Sequence, residues 1–355
     1  MITIHSKLKD YNVILEKDDN FFEKILTIPN AEYVIDSNVY RLYTSYFVGI
    51  PDNRLVVIDA TEENKTIETA LSICEKITEI AAKRNTTLIS IGGGIVQDIT
   101  GFVANITYRG IHWIFVPITL LAACDSCIGG KTSLNYNKFK NLLGTFYPPD
   151  EIHIFPKMFM TLSERDFKSG LGEVVKFNIM KGNDGLASIE TDISKLLARE
   201  SETIGKYILS SLEFKKTFIE IDEFDRGERI KLNFAHTFGH AIEVISHYEI
   251  PHGTAVAIGM IMADSISVKR RLMDEMTAKR AEAVLKQVID INLGLLDAPI
   301  EDYLSAIRKD KKQTSEALTA VLISNYGKVA ELSIIHDMSV DEVKYALGYA
   351  INCLN

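Results

Sequence analysis

The chain is poor in cysteine: four in 355 residues, at Cys74, Cys124, Cys127 and Cys353. That is too few for a disulfide framework and points to a reducing compartment. Cys124 and Cys127 form a lone CxxC inside an apolar run, with no second pair. It reads as packing rather than as redox or metal chemistry. Positive charge is also short, with 39 Lys and Arg against 48 Asp and Glu, a net −9. This excludes general nucleic-acid binding, which needs a basic face. It leaves room for a local cluster of Lys and Arg around an anionic substrate. No apolar run is long enough to span a bilayer, and the opening MITIH carries no signal-peptide h-region, so the expected compartment is the cytoplasm. There is no internal repeat and no low-complexity linker. Three common signatures are missing as well. No Glu follows His236, so the metalloprotease HExxH fails. The glycines at 92–94 do not make G-x-G-x-x-G. Asp125 stands where the first Gly of a nucleotide-triphosphatase loop belongs, ahead of Gly130-Lys131-Thr132.

What is present is ordinary for a globular protein: 46% hydrophobic and 25% charged residues. The length exceeds that at which a single core stops growing, which predicts two domains. β-rich runs at 2–4, 11–15, 31–36, 55–58, 87–91 and 113–116 alternate with helical periodicity at 62–83 and around 103–108. That alternation predicts a parallel, doubly wound sheet. Past about residue 162 nearly everything reads as helix, at 164–180, 185–197, 200–220, 230–247, 253–272, 275–290 and 340–352, with one β-rich exception at 317–323. The expectation is a Rossmann-like α/β domain over 1–165 and an all-α domain over 166–355.

Four stretches carry chemistry. The first, NFAHTFGHAIE at 233–243 with Pro251-His252-Gly253, holds His236, His240 and His252, three of the eight histidines. Apolar residues recur there at helical spacing, so His236 and His240 share one helix face. Clustered neutral imidazoles are the usual ligands of Zn²⁺ and similar ions; a pair alone would as readily be core packing or a solvated face. The second, IGGGIVQD at 91–98, follows a strand and opens a helix, where glycines let the backbone approach a pyrophosphate and free N–H groups await it. Its plain alternative is a tight turn with Asp98 as a first-turn acid. The third, 125–141, joins Asp125, Gly129, Gly130, Lys131, Lys138, Lys140 and Asn141 with no amphipathic period and suits an anionic, hydroxylated ligand. The fourth places Glu173 and Lys176 three apart on an otherwise apolar helix. A buried carboxylate wants a cation or a metal, so Glu173 is the natural third ligand for His236 and His252, unless the two form only an intrahelical ion pair. Lys215, Arg229, Asn233, Lys311 and Lys312 complete the polar candidates.

As a set these residues resemble the 3-dehydroquinate synthases, within the sugar phosphate cyclases. The resemblance runs from Asp36 to Lys312 through GGGIVQDITGF at 92–102, Arg109-Gly110, VPITLL at 116–121, DSCIGGKT at 125–132, Lys140-Asn141, GEVVK at 172–176, the 233–243 stretch and His252-Gly253. It implies an NAD-binding α/β domain, a helical metal-bearing domain and a site in the cleft between them. It further implies a divalent metal, Zn or Co, on Glu173, His236 and His252, with His240 facing substrate. NAD would be held by Asp36, Asn38, Glu62, Lys65, Gly93, Gly94, Ile95, Asp98, Thr119, Lys140 and Thr161. Asp125, Lys131, Lys176 and His240 would be catalytic; Arg109, Asn141, Lys215, Arg229, Asn233, Lys311 and Lys312 would bind substrate. Arg109 would reach a neighbouring subunit's site, which implies a homodimer with a small sugar acid phosphate as its substrate and neither nucleic acid nor membrane as a partner. The implied reaction is lyase chemistry of the shikimate pathway to the aromatic amino acids: phosphate is lost from 3-deoxy-D-arabino-heptulosonate 7-phosphate and 3-dehydroquinate is formed.

The pattern departs from the family at Gln97 and Ala235, where Gly is usual, at Ile118 for a Thr, and at Thr254 for a Glu. Three rival readings remain open. One is a sister cyclase of the aminodehydroquinate, 2-deoxy-scyllo-inosose or valiolone type. Another is a metal-dependent polyol dehydrogenase of the glycerol dehydrogenase type. The third is a paralogue without catalysis.

Overall fold

The structure is a computed structural model that describes residues 1–80, 82–137, 139–309 and 318–355. The chain divides into two compact units, Met1–Thr161 and Leu162–Asn355.

In the first unit the elements run β1 (Ile2–Ile4), β2 (Tyr11–Leu15), α1 (Asn20–Leu26), β3 (Ala31–Asp36), α2 (Ser37–Leu42), β4 (Leu55–Ile58), α3 (Ile67–Glu79), β5 (Thr87–Gly92), α4 (Gly94–Ile106), β6 (His112–Pro117), β7 (Lys131–Tyr136), β8 (Phe139–Phe146) and β9 (Glu151–Ile154). Seven strands form one sheet in the order β1-β2-β9-β6-β5-β3-β4, parallel except for the β1–β2 edge pair. The central strands are buried on both faces, as their runs of Val and Ile require; Ile89, Ile91, Val116 and Ile35 are in one core cluster with Phe21, Phe22 and Phe155. Ile118, where the family has Thr, is in the same cluster. Its methyl-rich side chain is therefore core packing.

Parallel register aligns the strand ends. Asp36 pairs with Ile58, Ile35 with Ile91 and Gly92 with Pro117. The carboxyl ends of β3, β4, β5 and β6 thus share one edge of the sheet, and the residues just beyond them converge there. Ligands bind at that edge in open α/β sheets, next to the point where strand order reverses. Here that point lies between β3 and β5, whose chains continue to β4 on one side and β6 on the other.

Two sequence expectations are corrected. The helix read at 62–83 is a short 3₁₀ turn, Glu62–Asn64, followed by α3, because Thr66 caps α3 by accepting from the Thr69 N–H. The stretch 125–141, read as lacking any period, contains the antiparallel pair β7–β8. It has a period of two: Thr132 and Leu134 are buried, while Ser133 and Asn135 face the other way.

The second unit holds α5 (Glu164–Met180), α6 (Asn183–Leu197), α7 (Ser201–Ile221), α8 (His236–Ile245), α9 (His252–Lys269), α10 (Glu275–Val288), α11 (Ile300–Lys309), β10 (Leu318–Tyr326), β11 (Ala330–Met338) and α12 (Val340–Leu354). It is helical but not all-α: β10 and β11 pair antiparallel, and only the first is legible in the sequence. β11 alternates only over Ala330, Glu331 and Leu332, since Ser333, Ile334 and Ile335 are all half-buried, a weak signal for a nine-residue strand. The helix read at 230–247 is broken by a left-handed Ala235 at φ 67°, which separates a 3₁₀ turn, Glu228–Asn233, from α8. Glycine is the residue that normally accepts that conformation.

Candidate active site and its two clusters

In the second unit, α5 and α9 come close because neither carries a side chain at the crossing. A Cβ on Gly172 would lie 2.1 Å from the Gly253 carbonyl oxygen, and one on Gly253 would lie 1.8 Å from that of Ser169. No other residue fits either place. The close approach sets Glu173 beside His252 across 79 positions of sequence. Glu173 is fully buried. Its Oε1 lies 3.5 Å from His236 Nε2 and 3.5 Å from His252 Nε2, and the three groups offer ligand atoms that all lie within 4.8 Å of one another.

Both imidazoles are oriented from behind. His236 Nδ1 is 3.0 Å from the Phe234 carbonyl oxygen, and His252 Nδ1 is 3.1 Å from Glu243 Oε2. These acceptors put the proton on Nδ1, so each ring turns Nε2 toward Glu173. Two ligand atoms each about 2.1 Å from one tetrahedral ion lie about 3.4 Å apart. The donor set and its spacing therefore fit a divalent metal. Burial lowers the proton affinity of His252, but its bonds to Glu173 and Glu243 outweigh that and push it up to about 10.

Lys176 is also buried, its Nζ 2.5 Å from Glu173 Oε2 and 3.2 Å from the Leu232 carbonyl oxygen, to which it donates. The ion pair weighed as the alternative to a metal ligand thus exists on one oxygen of Glu173, while the other faces the imidazoles. The His240 ring centre is 5.5 Å from that of His236 and 6.0 Å from that of His252. His240, Glu243 and His252 make a second possible ligand group, but Glu243 is engaged on the far nitrogen of His252. Glu243 carried no role in the sequence reading. Its signal was its place three residues after His240, on the same helix face.

The remaining described candidates of this unit stand on α7 and on the 3₁₀ turn Glu228–Asn233, which packs against it. Lys215 on α7 and Arg229 are buried; Arg229 donates from Nη1 to the Glu223 carbonyl oxygen, and its backbone N–H donates to Asp222 at 3.1 Å. Asn233 donates to the Ile230 carbonyl oxygen at 2.9 Å. Lys311 and Lys312 lie outside the described residues.

In the first unit, the glycine turn leads from β5 into α4. Gly93 is extended, at φ −86° and ψ −168°, and no side chain caps the helix. A Cβ on Gly94 would meet nothing closer than Ser126 Oγ at 3.7 Å, whereas one on Gly92 would collide with Val96 at 2.5 Å. The first N–H groups of α4 therefore have an open approach, as an anionic pyrophosphate needs. Asp36 is the N-cap of α2, accepting from the Asn38 and Val39 N–H groups at 2.7 and 3.1 Å. Thr119 accepts from the Ala122 N–H at 3.2 Å, and Thr161 meets the Tyr43 hydroxyl at 2.6 Å. Arg109 has a left-handed backbone, φ 65°.

Lys65, Asp98 and Asn141, on three different elements, form one network. Lys65 Nζ is 2.5 Å from Asp98 Oδ2 and donates to Asn141 Oδ1 at 2.6 Å. Ser133 Oγ lies 3.0 Å from Asp98 Oδ2 and 2.8 Å from Asn141 Oδ1. Asn135 donates to Glu62 Oε1 at 2.8 Å and accepts from the Asn141 N–H at 2.8 Å, while Lys140 Nζ stands 3.9 Å from Glu62 Oε1. Burial pushes the Asp98 carboxyl up, against the pull of Lys65 and Ser133. Ser133 and Asn135 were not singled out from the sequence, because the hairpin that aligns them was not recognised. Asp125 sits in a π-helical turn, Ala122–Ser126, and Lys131 begins β7.

The 3-dehydroquinate synthase N-terminal family model matches residues 55–169 and the C-terminal model residues 170–313. The chain belongs to the 3-dehydroquinate synthase family. It is 33% identical over 336 residues to a 3-dehydroquinate synthase of Dictyoglomus turgidum, covering 94% of this chain and 92% of that one. It is 37% identical over 335 residues to one of Clostridium perfringens, covering 90% and 94%. Among solved structures, a 2-deoxy-scyllo-inosose synthase in complex with carbaglucose-6-phosphate, NAD⁺ and Co²⁺ superposes with a TM-score of 0.85 at 25% identity over 98% of both chains. A 2-epi-5-epi-valiolone synthase of Streptomyces hygroscopicus shares the fold, with a TM-score of 0.83 at 21% identity over 99% of both chains. The family is one of enzymes, and no helix among the described residues is long and apolar enough to cross a membrane.

Proposed function

We propose that the enzyme converts 3-deoxy-D-arabino-heptulosonate 7-phosphate to 3-dehydroquinate and phosphate, with NAD bound in the first unit and a divalent metal in the second. The observation that carries the reading is the pair of imidazole Nε2 atoms, each 3.5 Å from the same oxygen of buried Glu173. Glu173, His236 and His252 would hold the metal, and the N-terminal turn of α4 with Gly93, Gly94, Ile95 and Asp98 would hold the pyrophosphate of NAD. Asp36, Asn38, Glu62, Lys65, Thr119, Lys140 and Thr161 are the further NAD contacts of this reading. When bound, NAD⁺ supplies a reversible oxidation of one substrate hydroxyl and the metal supplies its polarisation.

The chain's own residues do the rest. Lys176, held against Glu173 and the Leu232 carbonyl oxygen, keeps a buried positive charge beside the reacting carbons. Asp125 orients a substrate hydroxyl, and His240 with Lys131, Asn141 and Asn233 takes the leaving phosphate. Lys215 and Arg229 take the carboxylate, for which a guanidinium offers two parallel donors. The net change is elimination of phosphate and ring closure, with no net oxidation. The same reading carries a cytoplasmic homodimer whose Arg109 serves the neighbouring site, with Lys311 and Lys312 on the substrate side.

The test uses metal-stripped protein, NAD⁺, added Zn²⁺ or Co²⁺ and the sugar acid phosphate. Phosphate and 3-dehydroquinate should appear in equal amounts, with no accumulated NADH and no activity without metal. Release only from the amino analogue, a heptulose phosphate or a glucose phosphate would move the enzyme to a sister cyclase. Net NADH from a polyol would make it a dehydrogenase.

A further inference from the structure

Gln97 is buried at the start of α4, and its side-chain amide is spent entirely on one residue. Its Nε2 donates to the Ser126 carbonyl oxygen at 2.8 Å, and Ser126 Oγ donates to its Oε1 at 2.7 Å. A side-chain amide that grips both the carbonyl and the hydroxyl of one residue fixes that residue's backbone direction and its rotamer together. Ser126 closes the π-helical turn Ala122–Ser126, in which the Cys127 N–H donates to the Ala122 carbonyl oxygen at 3.0 Å. π-Turns are less favourable than α-helix and persist where surrounding contacts hold them, commonly at functional sites. The turn carries Asp125 one residue before the gripped Ser126. The other end of the clamp is on the helix whose N-terminus follows the glycine turn, with Ser126 Oγ 3.7 Å from where a Gly94 Cβ would be.

We infer that Gln97 is a positioning residue: through its two-point clamp on Ser126 it ties the Asp125 turn to the glycine-turn helix, so that Asp125 keeps one register relative to that helix. The consequence for turnover rests on the substrate-facing role given to Asp125 above; the clamp itself does not. A residue lacking a side-chain amide at position 97 takes both of these hydrogen bonds from the turn.

Gln97→Met keeps the volume and removes both hydrogen bonds. Amide hydrogen exchange of the peptide over 119–128 should quicken about tenfold or more, since local opening there loses its restraint, while peptides of the second unit stay unchanged. Turnover of the sugar phosphate should fall about tenfold in kcat, with NAD affinity altered less than about twofold, the pattern of a mispositioned group rather than a lost binding contact. Ser126→Ala, which keeps the arm from Nε2 to the carbonyl oxygen, should show a smaller change in both, and Gln97→Met/Ser126→Ala no more than Gln97→Met alone. Unchanged exchange in Gln97→Met overturns the clamp, and faster exchange with unchanged kcat overturns its bearing on Asp125. Should the unaltered enzyme release no phosphate from any sugar phosphate, the proposed function falls while the exchange comparison still decides the clamp.

Discussion

The Lys65–Asp98–Asn141 network and the Glu173–His236–His252 cluster solve opposite electrostatic problems. In the first, a cation and an anion sit 2.5 Å apart, Ser133 donates to the same oxygen of Asp98, and Lys65 also donates to Asn141. In the second, Glu173 and Glu243 surround the imidazoles, and one imidazole is driven up to about 10. Lys176 pairs with the other oxygen of Glu173, and the donor set fits a divalent ion. The contrast is between a cluster in which a cation and an anion are already paired and one whose donors fit an added cation. A third case stands on α9 itself: Asp264 is buried, neither carboxyl oxygen has a hydrogen-bond partner among the described residues, and burial alone pushes it up to about 8.

The strongest way to break the comparison is Glu173→Ala. It removes the oxygen both imidazoles face and should reduce kcat by about three orders of magnitude or more, equivalent to about 4 kcal/mol, with bound metal per chain falling in step. Glu243→Gln, which weakens only the anchor of His252, should cost about 10–100-fold in metal affinity. Elemental analysis after gel filtration, with activity titrated against added metal, reads both. Equal metal content in Glu173→Ala and parent would sink the cation-seat reading.

Next in size, Lys65→Met leaves Asp98 facing a neutral side chain and should destabilise the protein by up to about 3 kcal/mol, part of which the pair Lys65→Met/Asp98→Asn restores. Urea unfolding reads it. A double variant no better than the single would show that the network is not a closed pair.

The effect of Asp264→Asn takes the form of a pH dependence. The folded carboxyl titrates at about 8 against an ordinary value of 3.8, so the unfolded chain gives up its proton first as pH rises. The parent is favoured fully below about pH 4 and loses up to about 1.4 kcal/mol per pH unit from there to about 8. Asp264→Asn should remove that slope, matching the parent near pH 4 and exceeding it near pH 8. Parallel melting temperatures for the two proteins across this range would show that Asp264 has a partner after all.

Much of this was written locally. The alternation of strands and helices through Pro117, the glycine turn and the run of helices past residue 162 depend on contacts within a few residues, which periodicity records. So do the residue types at 173, 236 and 252, whose motifs made the family legible. Less visible were the β7–β8 hairpin and the second strand of the β10–β11 pair, where short alternating runs are diluted by charge. Ser133 and Asn135 were missed for that reason, as was Glu243, whose value lies in a contact with the start of the next helix.

The sequence by itself determined most strands of the parallel sheet, the run of helices past residue 162 and the candidate side chains for metal, nucleotide and phosphate, because helix and strand faces repeat every few residues. Only the tertiary structure decided which of those side chains meet. Glu173 reaches His252 because two glycines let helices 79 residues apart in sequence touch backbone to backbone. Asn141 reaches Lys65 because a hairpin folds it there, and Gln97 finds Ser126 across 29 positions. Such encounters are fixed by steric fit between distant segments, which no local period encodes.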